Sequence, residues 1–73
     1  MTKEEINIVC DLYDMKIELM KMISTTDDMK DIFNATGDME AYKYYQGKKN
    51  AYVHVMTLLS EHINKIKNGG ING

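Results

Sequence analysis

The sequence contains no proline, no tryptophan and one cysteine, and only five glycines, at positions 37, 47, 69, 70 and 73. A lone cysteine, Cys10, excludes a disulfide framework within the chain and is typical of a reducing compartment. One cysteine and two histidines cannot supply a four-ligand zinc site. Glycines at these positions suit the ends of helices better than strands. Together with the helix signals described below, they predict an all-α fold.

Long apolar runs and an excess of basic residues are also missing. No stretch is long enough to predict a membrane span, and the opening residues Met1 to Glu5 lack the apolar core of a signal peptide. The expected location is cytoplasmic. The net charge of -2 argues against a dedicated nucleic-acid binder, which normally presents a basic face.

The 73 residues suffice for one domain with a marginal core. Thr2 and Glu5 form a capping-box pattern at the start of a first helix, predicted over 3–23. The turn-forming run Ser24 to Asp28 predicts a break and then a short helix over 27–35. Gly37 and Asp38 suit the turn before a third helix over 39–67. Residues 1–68 would form a single domain and 69–73 a flexible tail.

Apolar residues of the first helix cover roughly 240° of its circumference, far more than the ~100° stripe of a surface helix. They form two adjacent rows, Ile6, Val9, Tyr13, Ile17 and Met20 beside Ile8, Leu12, Met15, Leu19 and Met22. This width predicts an antiparallel hairpin of two long helices that assembles as a homo-oligomeric bundle. The predicted interface residues are Ile8, Leu12, Met15, Leu19, Met22, Val55, Leu59 and Ile63. The alternative is a three-helix core that closes on itself.

Tyrosines and lysines are concentrated between Tyr42 and Tyr52, and Lys16 interrupts the apolar arc of the first helix. Lysine ammoniums and tyrosine rings together could bind a small anionic nucleotide. The predicted ligand-binding residues are Lys16, Tyr45, Lys48, Lys49 and Tyr52. In the alternative interpretation, the tyrosines border the core and the lysines lay their stems over them with their charges in water.

No arrangement of residues typical of catalysis is present, so the chain is predicted not to be an enzyme and to need no cofactor or metal. His54 and His62 are poorly aligned for one metal ion, and Cys10, which has no base nearby in the sequence, is interpreted as a small buried hydrophobic residue. A helix-turn-helix around Gly37 is disfavoured because the second helix would open with Asp38 and Glu40, which repel phosphates.

The segment Tyr44-Tyr45-Gln46-Gly47-Lys48-Lys49-Asn50-Ala51-Tyr52, with Met56-Thr57-Leu58-Leu59, resembles the C-terminal helix of small helical proteins encoded by bacteriophages and prophages. The resemblance covers about a third of the chain and transfers no functional residues. It implies an accessory protein that acts without catalysis, and for a phage-encoded chain the expected location is the cytoplasm of the host cell. The hypothesis is stoichiometric binding to, and inhibition of, a host protein. The alternative is an oligomeric sponge that sequesters a small anionic nucleotide signal in a counter-defence role.

Overall fold

A computed structural model describes residues 1–69, which form two α-helices, Lys3–Thr36 (α1) and Met39–Lys67 (α2). The helices pack side by side as an antiparallel hairpin, which confirms the all-α hairpin. The hairpin measures 52 × 17 × 11 Å, and its radius of gyration is 16.3 Å. A compact chain of this length would have about 11 Å. Neither described helix is long and apolar enough to cross a membrane. The tail predicted over 69–73 lies, from residue 70 onward, outside the described residues.

The ends of both helices are capped by the residues that the sequence indicated. The Thr2 hydroxyl accepts the Glu5 N–H at 3.1 Å, and the Glu5 carboxylate accepts the Thr2 N–H at 2.9 Å, completing the capping box. Gly37 ends α1 in the left-handed conformation, with φ +81°. Asp38 then caps α2 by accepting the Ala41 N–H at 3.2 Å. Since only two residues join the helices, the chain must reverse its direction.

The predicted break at Ser24 to Asp28 and the separate short helix are wrong, because α1 continues through this segment to Thr36. The Thr26 hydroxyl donates to the Met22 carbonyl oxygen at 2.7 Å, so it bonds within its own helix instead of opening a turn. Thr26 is also buried against α2. Packing between the helices therefore overrides the local preference of this polar run for a turn.

The contact between the helices follows an uninterrupted seven-residue repeat, and we call the residues that form it the seam. Most buried and half-buried residues alternate in spacing between three and four, as in a left-handed coiled coil. In α1 these residues are Glu5, Val9, Leu12, Lys16, Leu19, Ile23, Thr26, Lys30 and Phe33. In α2 they are Tyr42, Tyr45, Lys49, Tyr52, Met56, Leu59, Ile63 and Ile66. The half-buried residues outside this spacing flank the seam, and they are Asp27, Met29, Ala41 and Ser60.

The most deeply buried part of the seam lies far from the connecting turn. Val9, Ile63 and Ile66 form the core cluster, and Leu12 and Leu59 pack against it. Toward the turn, the seam is more polar and includes Thr26 and Lys49. The open end of the hairpin therefore provides most of the apolar stabilisation.

Candidate interaction faces and pocket

The predicted interface residues fall into two groups. Leu12, Leu19 and Leu59 are half-buried and Ile63 is buried in the seam, so they serve packing within the chain. The other four remain exposed, and they are Ile8, Met15, Met22 and Val55. The wide apolar arc of α1 thus consists of the seam plus an exposed apolar flank on each side of it.

One flank forms what we call the methionine face, made of Ile8, Met15, Met22 and Met29 in α1 with Val55 and Leu58 in α2. The four α1 residues are spaced seven apart, so they line one side of the seam. Met15 keeps 56% of its surface exposed and Leu58 keeps 52%. A groove of about 410 Å³ runs between Met15, Leu19 and Val55, with Asp14 and Glu18 on its edge. Leu58 was not among the predicted interface residues, although its spacing from Val55 places it on this face.

The opposite flank forms the isoleucine face, made of Ile6, Tyr13, Ile17 and Met20 in α1 with Val53 in α2. All five side chains are exposed, and Met20 keeps 54% of its surface exposed. Here α1 supplies nearly all of the apolar surface. At one end Lys67 of α2 reaches across, and its Nζ lies 3.2 Å from the Tyr13 hydroxyl. The isoleucine face is therefore a narrow stripe, whereas the methionine face extends over both helices.

Three of the five predicted ligand-binding residues, Tyr45, Lys48 and Tyr52, line a common pocket of about 410 Å³ on the methionine face. Its remaining lining residues are Lys21, Met22, Thr25, Thr26 and Met29. Two lysines and two threonines thus surround a partly apolar floor. The sequence analysis missed the threonines because it placed Thr25 and Thr26 in a turn instead of on a helix facing α2. It missed Lys21 because this residue lies on the polar side of the first helix.

The other two predicted ligand-binding residues lie outside that pocket. Lys16 is half-buried in the seam, ten residues before Thr26 and therefore about 15 Å along α1. Lys49 points to the opposite flank, where its Nζ lies 2.7 Å from the Asp27 carboxylate. The structure therefore does not bring the five residues into one site.

The aromatic rings beside the pocket pack mainly on each other. Phe33 stacks on Tyr45 with ring centroids 5.5 Å apart, and Tyr44 meets the same ring edge-on at 5.1 Å. The Lys48 ammonium lies 5.6 Å from the centroid of Tyr44 and 5.8 Å from that of Tyr45. This matches the alternative in which lysines cover the tyrosines. A flat ligand would therefore have to compete with Phe33 for the face of Tyr45.

Asp27 is the centre of an ion-pair cluster that joins the helices. Besides Lys49, it lies 3.6 Å from the Lys30 Nζ within its own helix. The hydrogen bond from Lys49 and the charges of both lysines hold the pKa of the Asp27 carboxyl below its ordinary value, although partial desolvation opposes them. This cluster stabilises the polar half of the hairpin.

Cys10 is exposed, so its interpretation as a buried residue was wrong. It lies on the isoleucine side of α1. Among residues 1–69, no group of three or more His, Cys, Asp or Glu side chains is arranged to hold a metal ion. Comparison of the chain with family models, characterised proteins and solved structures yields no match.

Proposed function

We propose that this chain is a non-enzymatic interaction protein, encoded by a phage or prophage, that self-associates and inhibits a host protein by stoichiometric binding in the cytoplasm. The observation that supports this proposal is that apolar side chains are exposed on both sides of the seam, across both helices on the methionine face and mainly along α1 on the isoleucine face. A two-helix layer can bury only the seam between its helices. The methionine face and the isoleucine face therefore each need a separate partner.

The extent of exposed apolar surface supports binding in preference to a solitary chain. Soluble monomers rarely expose contiguous apolar patches larger than a few hundred Å², and larger ones commonly mark interaction sites. Methionine is flexible and polarizable, so a surface rich in methionine adapts to varied partners. Self-association through the wider methionine face leaves the isoleucine face to bind the host protein.

The test is affinity capture from a bacterial lysate, followed by measurement of stoichiometry with the purified captured protein. We expect a target that Met20→Glu releases and that His54→Glu retains. Met20 lies on the isoleucine face, whereas His54 is exposed on the polar side of α2. Light scattering should give one target molecule per chain. If nothing captured depends on Met20, the proposed inhibitor role fails.

The pocket of Lys21, Tyr45, Lys48 and Tyr52 supports the second candidate function, a sponge for a small anionic nucleotide. Two ammonium groups beside threonine hydroxyls suit a phosphate, and apolar side chains near them suit a base. A thermal-shift screen against mono-, di- and cyclic nucleotides tests this function. At 100 times its dissociation constant a ligand should stabilise the fold by about 2.7 kcal/mol. Lys48→Gln should abolish the shift and Lys43→Gln should not. No shift with any nucleotide removes this candidate.

A further inference from the structure

We propose that the methionine face is covered by the same face of a second copy, with α1 of each chain packed on α2 of the other. The two copies would be related by a two-fold axis parallel to the helices, which gives a four-helix bundle. This inference rests on one part of the proposed function, namely that the chain self-associates through the methionine face and leaves the isoleucine face free. The supporting observations are the register of the hairpin, its charge distribution and its dimensions.

Contacts within the chain establish which residues of α1 and α2 lie at the same level. Asp27 meets Lys49, Phe33 stacks on Tyr45 and Tyr13 meets Lys67. Rotation about a two-fold axis parallel to the helices does not change the level of any residue along them. A residue of α1 therefore meets the same α2 residues in the partner subunit as those that lie at its level within one chain. Because both helices follow a seven-residue repeat, residues at equivalent repeat positions of α1 and of the partner's α2 meet at each repeat along the face.

This pairing gives apolar neighbours to exposed apolar side chains along the face. Met22 would pack on Val55 of the partner subunit, and Ile32 would pack on Tyr44 of the partner subunit. Ile32 and Tyr44 are 51% and 61% exposed in the single hairpin. Tyr44 has the repeat position of Leu58 in α2 and Ile32 has the equivalent position in α1, so both extend the methionine face toward the turn. Their match supports the pairing of α1 with α2.

Charge distinguishes this orientation from one that stacks α1 on α1. The outer edge of α1 beside the methionine face carries a single lysine, Lys21, among five acidic residues, which are Glu4, Asp11, Asp14, Glu18 and Asp28. Stacking α1 on α1 would place two acidic edges together. The corresponding edge of α2 carries Lys65, Glu40 and Glu61, and Lys48 lies beside it on the methionine face, so its charges balance. The proposed pairing therefore avoids stacking two acidic edges and places Asp11 level with Lys65 of the partner subunit.

The dimensions of the hairpin match those of a stable interface. A broad face of 52 × 17 Å covers about 900 Å². Standard interfaces bury about 800 Å² on each partner. One hairpin face can therefore provide a complete dimer interface without any further element.

The test is sedimentation equilibrium of the full chain with reversed charges. Asp11→Lys and Lys65→Asp should each weaken dimerisation about tenfold, because the two-fold axis creates two repulsive pairs, each of which costs a fraction of a kcal/mol. The double variant Asp11→Lys/Lys65→Asp should return to within about threefold of the parent dissociation constant. Lys43→Asp, on the other side of α2, is the matched control and should leave dimerisation unchanged.

Several results would overturn the inference. A monomer at every concentration would do so, as would single variants that weaken the dimer without rescue in the double variant. Loss of dimerisation in Met20→Glu but not in Met22→Glu would assign the contact between copies to the isoleucine face. If the chain is a monomer but still binds a host protein through Met20, this inference is overturned. The proposed inhibition of a host protein would then remain supported.

Discussion

Asp27 shows how a single charged side chain secures the polar half of the hairpin. Its carboxylate accepts a 2.7 Å hydrogen bond from Lys49 of α2 while also facing Lys30 of α1. Both helices are thereby linked at a level where the apolar core has ended. Because the carboxylate is partly exposed, solvent weakens the interaction. Its contribution to total stability is therefore modest.

At this scale we predict a specific pH dependence. The folded state lowers the pKa of Asp27 below that of the unfolded chain, so its stabilising effect is complete above about pH 5 and is lost as the pH falls through both pKa values. Asp27→Asn should therefore lower the free energy of unfolding at pH 7. Between pH 7 and pH 3 the variant should then lose less of this free energy than the parent chain does. Urea denaturation at both pH values measures this. Asp31→Asn, at an exposed position of the same helix, is the control, and an equal effect there would contradict the prediction.

At the scale of the helix, α1 shows where sequence reasoning succeeded and where it did not. The Thr2–Glu5 box and the Gly37–Asp38 turn were predictable because their partners lie within a few residues. The continuity of α1 through Ser24 to Asp28 was not, because it depends on α2, which is distant in sequence. Lys16 was recognised as an interruption of the apolar arc of α1, and Lys49 as one of the lysines between Tyr42 and Tyr52. Both were assigned to a ligand pocket because the three-four spacing of the seam was followed only for apolar residues. That spacing also includes these two lysines.

Two glycines should respond in opposite directions to the same substitution. Gly37 has φ +81°, where a side chain is strained by about 1–2 kcal/mol, and its N–H and that of Asp38 bond to carbonyl groups at the end of α1. Gly37→Ala should lower the free energy of unfolding by about that amount.

Gly47 lies within α2, and a Cβ there would meet no atom within 4 Å. Gly47→Ala should therefore raise the free energy of unfolding by about 0.5–1 kcal/mol, since alanine favours a helix interior. Urea denaturation at one protein concentration compares both variants with the parent chain. Destabilisation by Gly47→Ala would indicate that another molecule approaches the backbone at this position.

At the scale of the whole molecule, stability and assembly should be linked. If folding and self-association are coupled, the melting temperature must rise with protein concentration. We expect a rise across a hundredfold concentration range for the parent chain and for His54→Glu. Met22→Glu, which places a charge on the methionine face, should melt at a lower temperature that does not depend on concentration. Circular dichroism at 222 nm detects this, and a parent chain with constant melting temperature would contradict the prediction.

The position of the core cluster has a consequence for synthesis on the ribosome. Val9 is near the start of α1, whereas Ile63 and Ile66 are in the last turns of α2, so the best-buried contacts close nearly the whole length of the chain. The parts of α1 and α2 near the turn can pack together early in synthesis, but their part of the seam is the more polar one. A nascent chain therefore gains little stability until residue 66 has emerged. Until then both apolar flanks of α1 are available to chaperones and to neighbouring copies leaving the same polysome.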